Sequence, residues 1–265
     1  MTAIEIRNVR KAFEVRGVGR PFVAVEDVTL DVAAGEFLTL VGPSGCGKST
    51  LLDLIAGLTS PTSGAILVGG TPISGPGLDR GIVFQQYALF PWRTALANIA
   101  FGLEAKAVPK RERLERARHF LALVGLDGFG DRYPHELSGG MRQRVAIARS
   151  LAFDPDVLLM DEPFAALDAQ TRETLQEELL RIWEKTGKTI VFITHGIDEA
   201  VVLGQRVAVM TSRPGRIKAV VDVALDSRSE DLRADPEFGA YRHHIWNLLR
   251  EEVAAARQEE AVPVA

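Results

Sequence analysis

The sequence predicts an α/β fold built around a mainly parallel β-sheet. Short apolar runs bounded by turn residues recur along the chain, as expected of strands that are buried on both faces. Segments in which apolar residues keep a helical period separate these runs, and such alternation is typical of parallel sheets covered by helices. The chain has 265 residues, of which 46% are hydrophobic, and this is enough for a large packed core.

Five apolar runs are predicted to be strands of the parallel sheet. They occupy residues 37–41, 81–84, 157–160, 190–193 and 207–210. Three further runs, at 4–9, 23–30 and 65–68, lie near the N-terminus with Gly and Pro residues between them. These three predict shorter antiparallel strands that break the alternation.

Two helices are predicted with clear ends, at residues 110–124 and 171–185. Pro109 opens the first and Gly125 closes it, which matches the preference for Pro at the start of a helix and Gly past its end. Gly187 follows the second helix as a stop signal.

Residues 1–225 are predicted to form one domain, into which a helical subdomain of about residues 89–151 is inserted. Residues 226–265 are predicted to form a C-terminal helical tail with apolar residues at helical spacing. Its polar face mixes both signs of charge, so we expect the helix to pack on the domain rather than on a membrane surface. The apolar positions of this tail are Phe238, Tyr241, Ile245 and Leu249.

Composition limits the partners and the compartment. The formal net charge is -4, with acidic and basic residues nearly balanced, which argues against a basic nucleic-acid-binding surface. Cys46 is the single cysteine, so no internal disulfide is possible and a reducing compartment is expected. The N-terminal segment carries charges where a signal peptide needs an apolar core, and no run approaches the ~18 apolar residues needed to span a bilayer.

The segment GPSGCGKST, residues 42–50, fits the pattern G-x-x-x-x-G-K-[ST], with a predicted strand before it and an apolar helix start after it. The glycines let backbone N–H groups approach phosphate oxygens, and the helix N-terminus adds about half a positive charge. Lys48 supplies a full charge for the outer phosphates, and Ser49 offers a hydroxyl to magnesium. Cys46 is interpreted as a small loop residue. The predicted ATP-binding residues of this phosphate loop are Gly42, Pro43, Ser44, Gly45, Cys46, Gly47, Lys48, Ser49 and Thr50.

Two acidic residues follow the strand predicted at 157–160. Asp161 ends the strand and offers a carboxylate that can hold magnesium, typically through water. Glu162 stands one residue later, where a carboxylate can accept a proton from an attacking water. Alone, such a pair is more often a solvated strand end. Together with the phosphate loop it indicates a P-loop NTPase.

The segment that distinguishes among P-loop proteins is LSGGMRQR, residues 137–144. Ser138 is predicted to cap a helix that starts in the glycines, and this helix end forms a second anion site without a lysine of its own. The segment closely resembles the LSGGQ signature of the ATP-binding cassette (ABC) ATPases. Met141 stands where most members have Gln. The backbone donors of Ser138, Gly139 and Gly140 survive that change, so we expect the nucleotide contact to survive as well.

The other motifs of the ABC family follow in the family's order. Gln85 matches the Q-loop, residues 165–168 match the D-loop that ends in Asp168, and His195 matches the switch histidine. The remaining histidines lack a ligand pattern and are interpreted as surface or packing residues; they are His119, His135, His243 and His244.

Phe13 resembles the aromatic residue that stacks on adenine in this family, although most members have Tyr or Trp there. A long linker at residues 14–22 blurs the alignment, and Phe22 is therefore the alternative.

The resemblance implies binding of ATP and magnesium and hydrolysis of ATP in a head-to-tail dimer of two copies. The implied catalytic residues are Glu162, His195 and Gln85. The implied magnesium ligands are Ser49, Gln85 and Asp161. The residues implied to contact ATP across the dimer are Ser138, Gly139, Gly140, Met141 and Asp168.

A finer likeness, outside the shared motifs, is to the nitrate/sulfonate/taurine importer branch of the family. It rests on residues 75–81, 90–94, 98–103, 213–217 and 235–238. The branch implies uptake of a small anionic solute. It also implies a permease contact formed by Leu89, Phe90, Pro91, Trp92 and Arg93. The alternative for Trp92 is that it packs within the helical insert.

These likenesses imply a separate ATPase subunit at the cytoplasmic face of the cell membrane. We expect it to be peripheral, bound through two integral permease subunits, with an extracytoplasmic solute-binding protein as an indirect partner and no nucleic acid. Two alternatives are a soluble ABC ATPase and a non-transport regulatory cassette. The single cassette and the modest insert argue against a soluble ABC ATPase. A regulatory cassette would share every nucleotide-binding residue, so only the identity of its partner distinguishes it from a transport subunit.

Overall fold

The computed structural model describes residues 2–14, 21–225, 232–233 and 235–260, and the chain divides into two units. Unit 1 comprises Met1–Pro76 and Val191–Ala265, and unit 2 comprises Gly77–Ile190. Residues 15–20 of the predicted linker, and residues 226–231, 234 and 261–265 of the predicted tail, lie outside the described residues.

The described strands, in chain order, are β1 (Thr2–Phe13), β2 (Phe22–Ala33), β3 (Phe37–Val41), β4 (Ser63–Val68), β5 (Thr71–Pro72), β6 (Arg80–Val83), β7 (Val157–Asp161), β8 (Thr189–Ile193), β9 (Arg206–Met210) and β10 (Ile217–Asp222). The described α-helices are α1 (Lys48–Ala56), α2 (Ala95–Ile99), α3 (Phe101–Ala105), α4 (Lys110–Leu123), α5 (Gly139–Ala152), α6 (Ala169–Thr186), α7 (Ile197–Leu203) and α8 (Pro236–Glu260).

Unit 1 contains an antiparallel sheet with the strand order β2-β1-β4-β5. The runs at 4–9, 23–30 and 65–68 fall inside β1, β2 and β4, and β1 pairs antiparallel with both neighbours. The antiparallel N-terminal strands are therefore confirmed. β1 and β2 are 12 residues each and extend beyond the predicted runs at both ends.

Unit 1 also contains the parallel pair β3 and β9, and β10 lies antiparallel to β9. All five residues of β3 are buried, as expected of a strand covered on both faces. β10 was not predicted from the sequence. Its residues are half-buried except the last, so it lacks both the continuous burial and the alternation by which strands are recognised.

The tail helix α8 packs in unit 1, as predicted. Its residues Phe238, Ile245 and Leu249 are buried in one apolar cluster with Ala200 and Val201 of α7. The boundary at residue 225 between domain and tail stays a prediction.

Unit 2 holds the parallel pair β6 and β7 and the helices α2 to α6. Residues 89–151, which the structure describes throughout, contain helices and no strand, as predicted. Their extent as a separate inserted subdomain stays a prediction. β8 is divided, with residues 189–190 in unit 2 and 191–193 in unit 1. Across the part of the chain that the structure describes, no helix combines the length and apolarity needed to cross a membrane.

Candidate nucleotide site

The phosphate loop lies in unit 1 between β3 and α1, as its sequence context predicted. Gly47 forms the turn into the helix with φ 104°, a conformation that residues with a side chain rarely adopt. A Cβ atom at this position would lie 2.7 Å from both the carbonyl oxygen of Ala24 and Cγ1 of Val25. Both the backbone angle and the contact with β2 therefore require glycine here.

Lys48 is buried within the phosphate loop. Its Nζ donates hydrogen bonds to the carbonyl oxygens of Gly42, at 2.8 Å, and Pro43, at 2.9 Å. Within the described residues no side chain caps the start of α1, so no side-chain acceptor occupies its first N–H groups. The loop thus offers backbone donors and one held cation, which suits a phosphate group.

The neighbouring residues of the loop differ in exposure. Ser49 is exposed, so its hydroxyl is accessible, whereas Cys46 is buried. Burial raises the pKa of the Cys46 thiol, and the charge of Lys48, whose Nζ lies 3.9 Å from Sγ, opposes that rise only in part. A buried neutral thiol fits the interpretation of Cys46 as a small packing residue.

The two candidate adenine-stacking rings lie at the paired ends of β1 and β2. Phe13 is opposite Phe22 in the strand register, and both are more than a third exposed. Nζ of Lys11 lies 4.9 Å from the centre of the Phe13 ring, and Cζ of Arg213 lies 5.4 Å from that of Phe22. Either ring is accessible to a base, and the choice of Phe13 over Phe22 stays a prediction.

His195 lies two residues after the end of β8, in unit 1, and is exposed, which leaves its ring accessible to a ligand. The other four histidines are exposed as well. Within the described residues, no three His, Cys, Asp or Glu side chains gather as a metal-binding cluster.

The two candidate acids lie in unit 2 at the end of β7. Asp161 is the last residue of the strand, and both acids are half-buried. Glu162 has φ 43°, the left-handed region, and its carbonyl oxygen accepts a hydrogen bond from the N–H of Ala165 at 3.2 Å. Such a backbone costs about 1–3 kcal/mol for a residue with a side chain and is concentrated at functional positions. This backbone strain distinguishes Glu162 from a residue at an ordinary strand end.

The signature segment forms the helix start that its sequence predicted. Ser138 is the N-cap of α5, and its hydroxyl oxygen accepts a hydrogen bond from the N–H of Met141 at 3.2 Å. Ser138 is exposed, and Gly139 and Gly140 are half-buried. An exposed helix end with glycines in its first turn leaves room for an anion.

Asp168 has a structural role that the sequence analysis missed. It caps α6, because its Oδ1 accepts a hydrogen bond from the N–H of Thr171 at 2.9 Å. The hydrogen bonds from Thr171 lower the pKa of Asp168. The residue type was a sufficient signal, since Asp before a helical segment is a preferred N-cap. Its contact with nucleotide across a dimer stays a prediction.

The loop after β6 carries Gln85, which is exposed, and continues through two residues with positive φ, Tyr87 at 36° and Ala88 at 46°. Arg149 of α5 holds this loop by donating to the carbonyl oxygens of Ala88, at 2.6 Å, and Tyr87, at 3.1 Å. Burial lowers the pKa of Arg149. The sequence analysis did not find this arginine, because its partners are backbone atoms brought near only by the fold.

The predicted partner segment, Leu89 to Arg93, presents one large exposed ring. Trp92 is 72% exposed, and its ring centre lies 5.5 Å from that of Phe90, so its contact with a permease stays a prediction. Behind it, the guanidinium of Arg93 pairs with Glu104 at 3.1 Å and lies 5.6 Å from the centre of the Phe90 ring. The segment therefore has a supported apolar surface rather than a loose one.

Asn98 fixes the shape of this segment, a role that its side chain's burial reveals and the sequence did not. Its Oδ1 accepts from the N–H of Phe90 at 2.8 Å. Its Nδ2 donates to the carbonyl oxygens of Phe90, Arg93 and Thr94 at 3.2, 3.0 and 3.0 Å.

Asn98→Ala is expected to lower the free energy of unfolding by about 2–4 kcal/mol, because each buried group left without a partner costs about 1–3 kcal/mol. Thermal or urea unfolding of the whole chain measures the change. Asn247→Ala, at an exposed position of α8, is the control and should leave the midpoint unaltered. Equal stability of the two variants would contradict the role given to Asn98.

Comparisons with known proteins agree with this arrangement. A family model described as ABC transporter matches residues 25–165. An ABC transporter ATP-binding protein of Methanocaldococcus jannaschii is 56% identical over 94% of this chain and 92% of its own length. A taurine import ATP-binding protein of Roseobacter denitrificans is 46% identical over 98% of this chain and 100% of its own. A nitrate import ATP-binding protein of Synechocystis is 48% identical over 93% and 95%, respectively.

Solved structures of ATP-binding cassettes also match this chain. A dimeric ATP-binding cassette in a post-hydrolysis state, bound to ADP and phosphate, matches with a TM-score of 0.74 and 34% identity. The match covers 84% of this chain and 99% of that one. The α/β fold predicted from the sequence, with its antiparallel and parallel sheets and its helices, is confirmed as that of an ABC cassette. The chain belongs to the ABC transporter family and is an ATP-binding, ATP-hydrolysing cassette.

Proposed function

We propose that this cassette is the separate ATPase subunit of an importer that takes up a small anionic solute of the nitrate, sulfonate or taurine type. The observation that carries the proposal is Trp92, which is 72% exposed on a segment fixed from behind by the fully buried Asn98. An exposed aromatic on a rigid support suits a protein partner better than solvent. The relatives named as taurine and nitrate import proteins support the class of solute.

The partner of this surface is an integral permease. Leu89, Phe90, Pro91, Trp92 and Arg93 form the contact with it. Two permease subunits hold the cassette at the cytoplasmic face of the membrane, and an extracytoplasmic solute-binding protein delivers the solute. The solute does not contact this chain, so the residues of the nucleotide site do not determine which solute is transported.

Phe13 and the phosphate loop bind ATP. Ser49, Gln85 and Asp161 would hold magnesium, because their hydroxyl, amide and carboxylate oxygens are the hard donors that this ion prefers. When bound, magnesium neutralises part of the phosphate charge. Glu162 accepts a proton from the attacking water, and its strained backbone and half-buried position support a functional role for this residue. His195 orients the γ-phosphate and that water.

Two copies of the chain clasp the nucleotide. The exposed start of α5, with Ser138, Gly139, Gly140 and Met141, closes on the γ-phosphate bound to the other copy, and Asp168 lies beside it. Support comes from the solved cassettes of the same fold, which are dimers. Hydrolysis replaces one bridging molecule by two repelling products, and the dimer reopens.

Trp92→Ala is expected to uncouple the cassette from its permease. Loss of one buried aromatic anchor costs about 2 kcal/mol or more, so binding should weaken roughly 30-fold. The measurement is co-purification of the permease with the tagged cassette, followed by solute-stimulated ATP hydrolysis in the reconstituted complex. Trp246→Ala removes another exposed tryptophan, on α8, and serves as the matched control.

A parent chain that captures no multi-span membrane protein would overturn the importer assignment and favour a non-transport regulatory cassette. A Trp92→Ala variant that captures the permease as well as the parent would overturn the contact surface alone.

A further inference from the structure

The turn between β9 and β10 has a fixed shape and lies beside the phosphate loop within unit 1. Thr211 closes the turn: its N–H donates to the carbonyl oxygen of Arg216 at 3.0 Å, and its hydroxyl oxygen accepts from the N–H of Arg216 at 2.9 Å. The single hydroxyl hydrogen lies within reach of two carbonyl oxygens of the turn, that of Ser212 at 2.9 Å and that of Pro214 at 3.1 Å. A turn with this many internal hydrogen bonds is a rigid support.

Gly215 joins this turn to the phosphate loop through β2. Its N–H donates to the carbonyl oxygen of Ala24 at 3.0 Å, and its carbonyl oxygen accepts from the N–H of Glu26 at 2.9 Å. A Cβ atom added at Gly215 would lie 2.0 Å from the carbonyl oxygen of Cys46. The backbone of the turn is therefore in direct contact with the backbone of the loop.

Within the described residues, Arg213 is the one residue of this turn whose side chain contacts Gly45 of the phosphate loop. Its Nε donates to the carbonyl oxygen of Gly45 at 2.8 Å. Its Cζ lies 5.4 Å from the centre of the Phe22 ring, within cation–π range. The guanidinium of Arg213 thus contacts both the phosphate loop and the ring of Phe22.

Glu252 of α8 holds the same turn from the other side. Its Oε2 accepts from the N–H of Ser212 at 2.8 Å and from the hydroxyl of Ser212 at 3.3 Å, and Lys218 pairs with Oε1 at 2.8 Å. Burial raises the pKa of Glu252, but the hydrogen bonds from Lys218 and Ser212 outweigh it, and the pKa lies below its usual value. The neighbouring Glu251 contacts Lys218 at 3.0 Å, whereas within the described residues the carboxylate that Ser212 contacts is that of Glu252.

We propose that Arg213 is a positioning residue of the nucleotide site and that Glu252 fixes the turn that carries it. The proposal rests on the phosphate-binding role proposed above for residues 42–50. Because C=O and N–H point in opposite directions across a trans peptide, holding the carbonyl of Gly45 also fixes the N–H of Cys46, which donates to the carbonyl oxygen of Pro43 at 3.4 Å and so helps to close the loop. Without Arg213 the loop spends less time in the shape that binds phosphate, and apparent affinity falls by that fraction.

The test is equilibrium titration of the full chain with a fluorescent ATP analogue, together with steady-state ATP hydrolysis. Arg213→Gln and Glu252→Gln are each expected to raise Kd and KM about 5-fold, the effect of one ordinary hydrogen bond, with kcat nearly unchanged. Arg213→Lys keeps a charge and a donor and should restore most of the affinity. Glu251→Gln is the matched control and should bind as the parent does.

The double variant Arg213→Gln/Glu252→Gln should bind no more weakly than Arg213→Gln alone, because both changes act through one contact. Parent-like Kd in Arg213→Gln, equal losses in Glu251→Gln and Glu252→Gln, or no rescue by Lys would each overturn the proposal. Lys48→Ala in the same titration distinguishes a failure of the proposed phosphate-loop role from a failure of the proposed positioning role of Arg213. If it binds as the parent does, the phosphate-loop role fails; if it alone loses affinity, only the positioning role fails.

Discussion

Glu162→Gln is expected to lower ATP turnover by roughly 100-fold or more while leaving ATP binding intact, since general bases contribute ~10²–10⁴ to rate. Glutamine keeps the size and hydrogen bonding of the side chain but has no carboxylate to accept the proton. Because closure needs bound ATP and reopening needs hydrolysis, dimers of the variant should accumulate with MgATP. Phosphate release measures the first effect, and light scattering measures the second.

Glu177→Gln provides the control for this experiment, because Glu177 is an exposed glutamate on α6 in the same unit. It should hydrolyse ATP at the parent rate. Parent-like turnover in Glu162→Gln would show that another group activates the water, and monomers with MgATP and permease both supplied would contradict the clasp of two copies.

Lys48→Ala is expected to weaken ATP binding roughly 10- to 100-fold, because hydrogen bonds to charged groups contribute about 1.5–3 kcal/mol. The change also removes the donor held by the carbonyl oxygens of Gly42 and Pro43, so the loop loses an internal brace. Isothermal titration with ATP and magnesium measures the affinity.

The control for this loss is Lys188→Ala, which removes a lysine paired with Asp154 at 2.5 Å in unit 2. Its affinity for ATP should match that of the parent. If Lys48→Ala bound ATP with unchanged affinity, the assignment of its ammonium to the outer phosphates would be wrong.

The sequence predicted the parts of the fold whose causes are local. β3, β7 and β8 were found within one or two residues, because a continuous apolar run of this length between turn residues is typical of a buried strand. The cap of α5 at Ser138 was also predicted, since hydroxyl residues before glycines and a helical pattern signal a helix start. The phosphate loop followed from its spacing and its strand–loop–helix context.

The sequence did not show the contacts that depend on residues far apart in the chain. Arg213 meets Gly45 across 168 positions, and Arg149 meets Tyr87 across 62. A basic residue in a loop gives no sign of which carbonyl it will reach. Asn98 was noted only for its likeness to a branch of the family, because a buried amide in a short helix leaves no periodic signal. β10 was missed because a half-buried edge strand resembles a surface loop in composition.

The burial of Lys48 has a thermodynamic consequence for nucleotide capture. A free lysine side chain gives up about 1.5–2 kcal/mol of rotamer entropy when it is immobilised. Two loop carbonyls hold the ammonium through contacts within the chain itself, so this ordering loss belongs to folding. Two of the three ammonium hydrogens go to these carbonyls, and the third meets only the weak acceptor Sγ of Cys46 at 3.9 Å, which an incoming oxygen would replace. ATP binding therefore does not include the entropy cost of immobilising the Lys48 side chain.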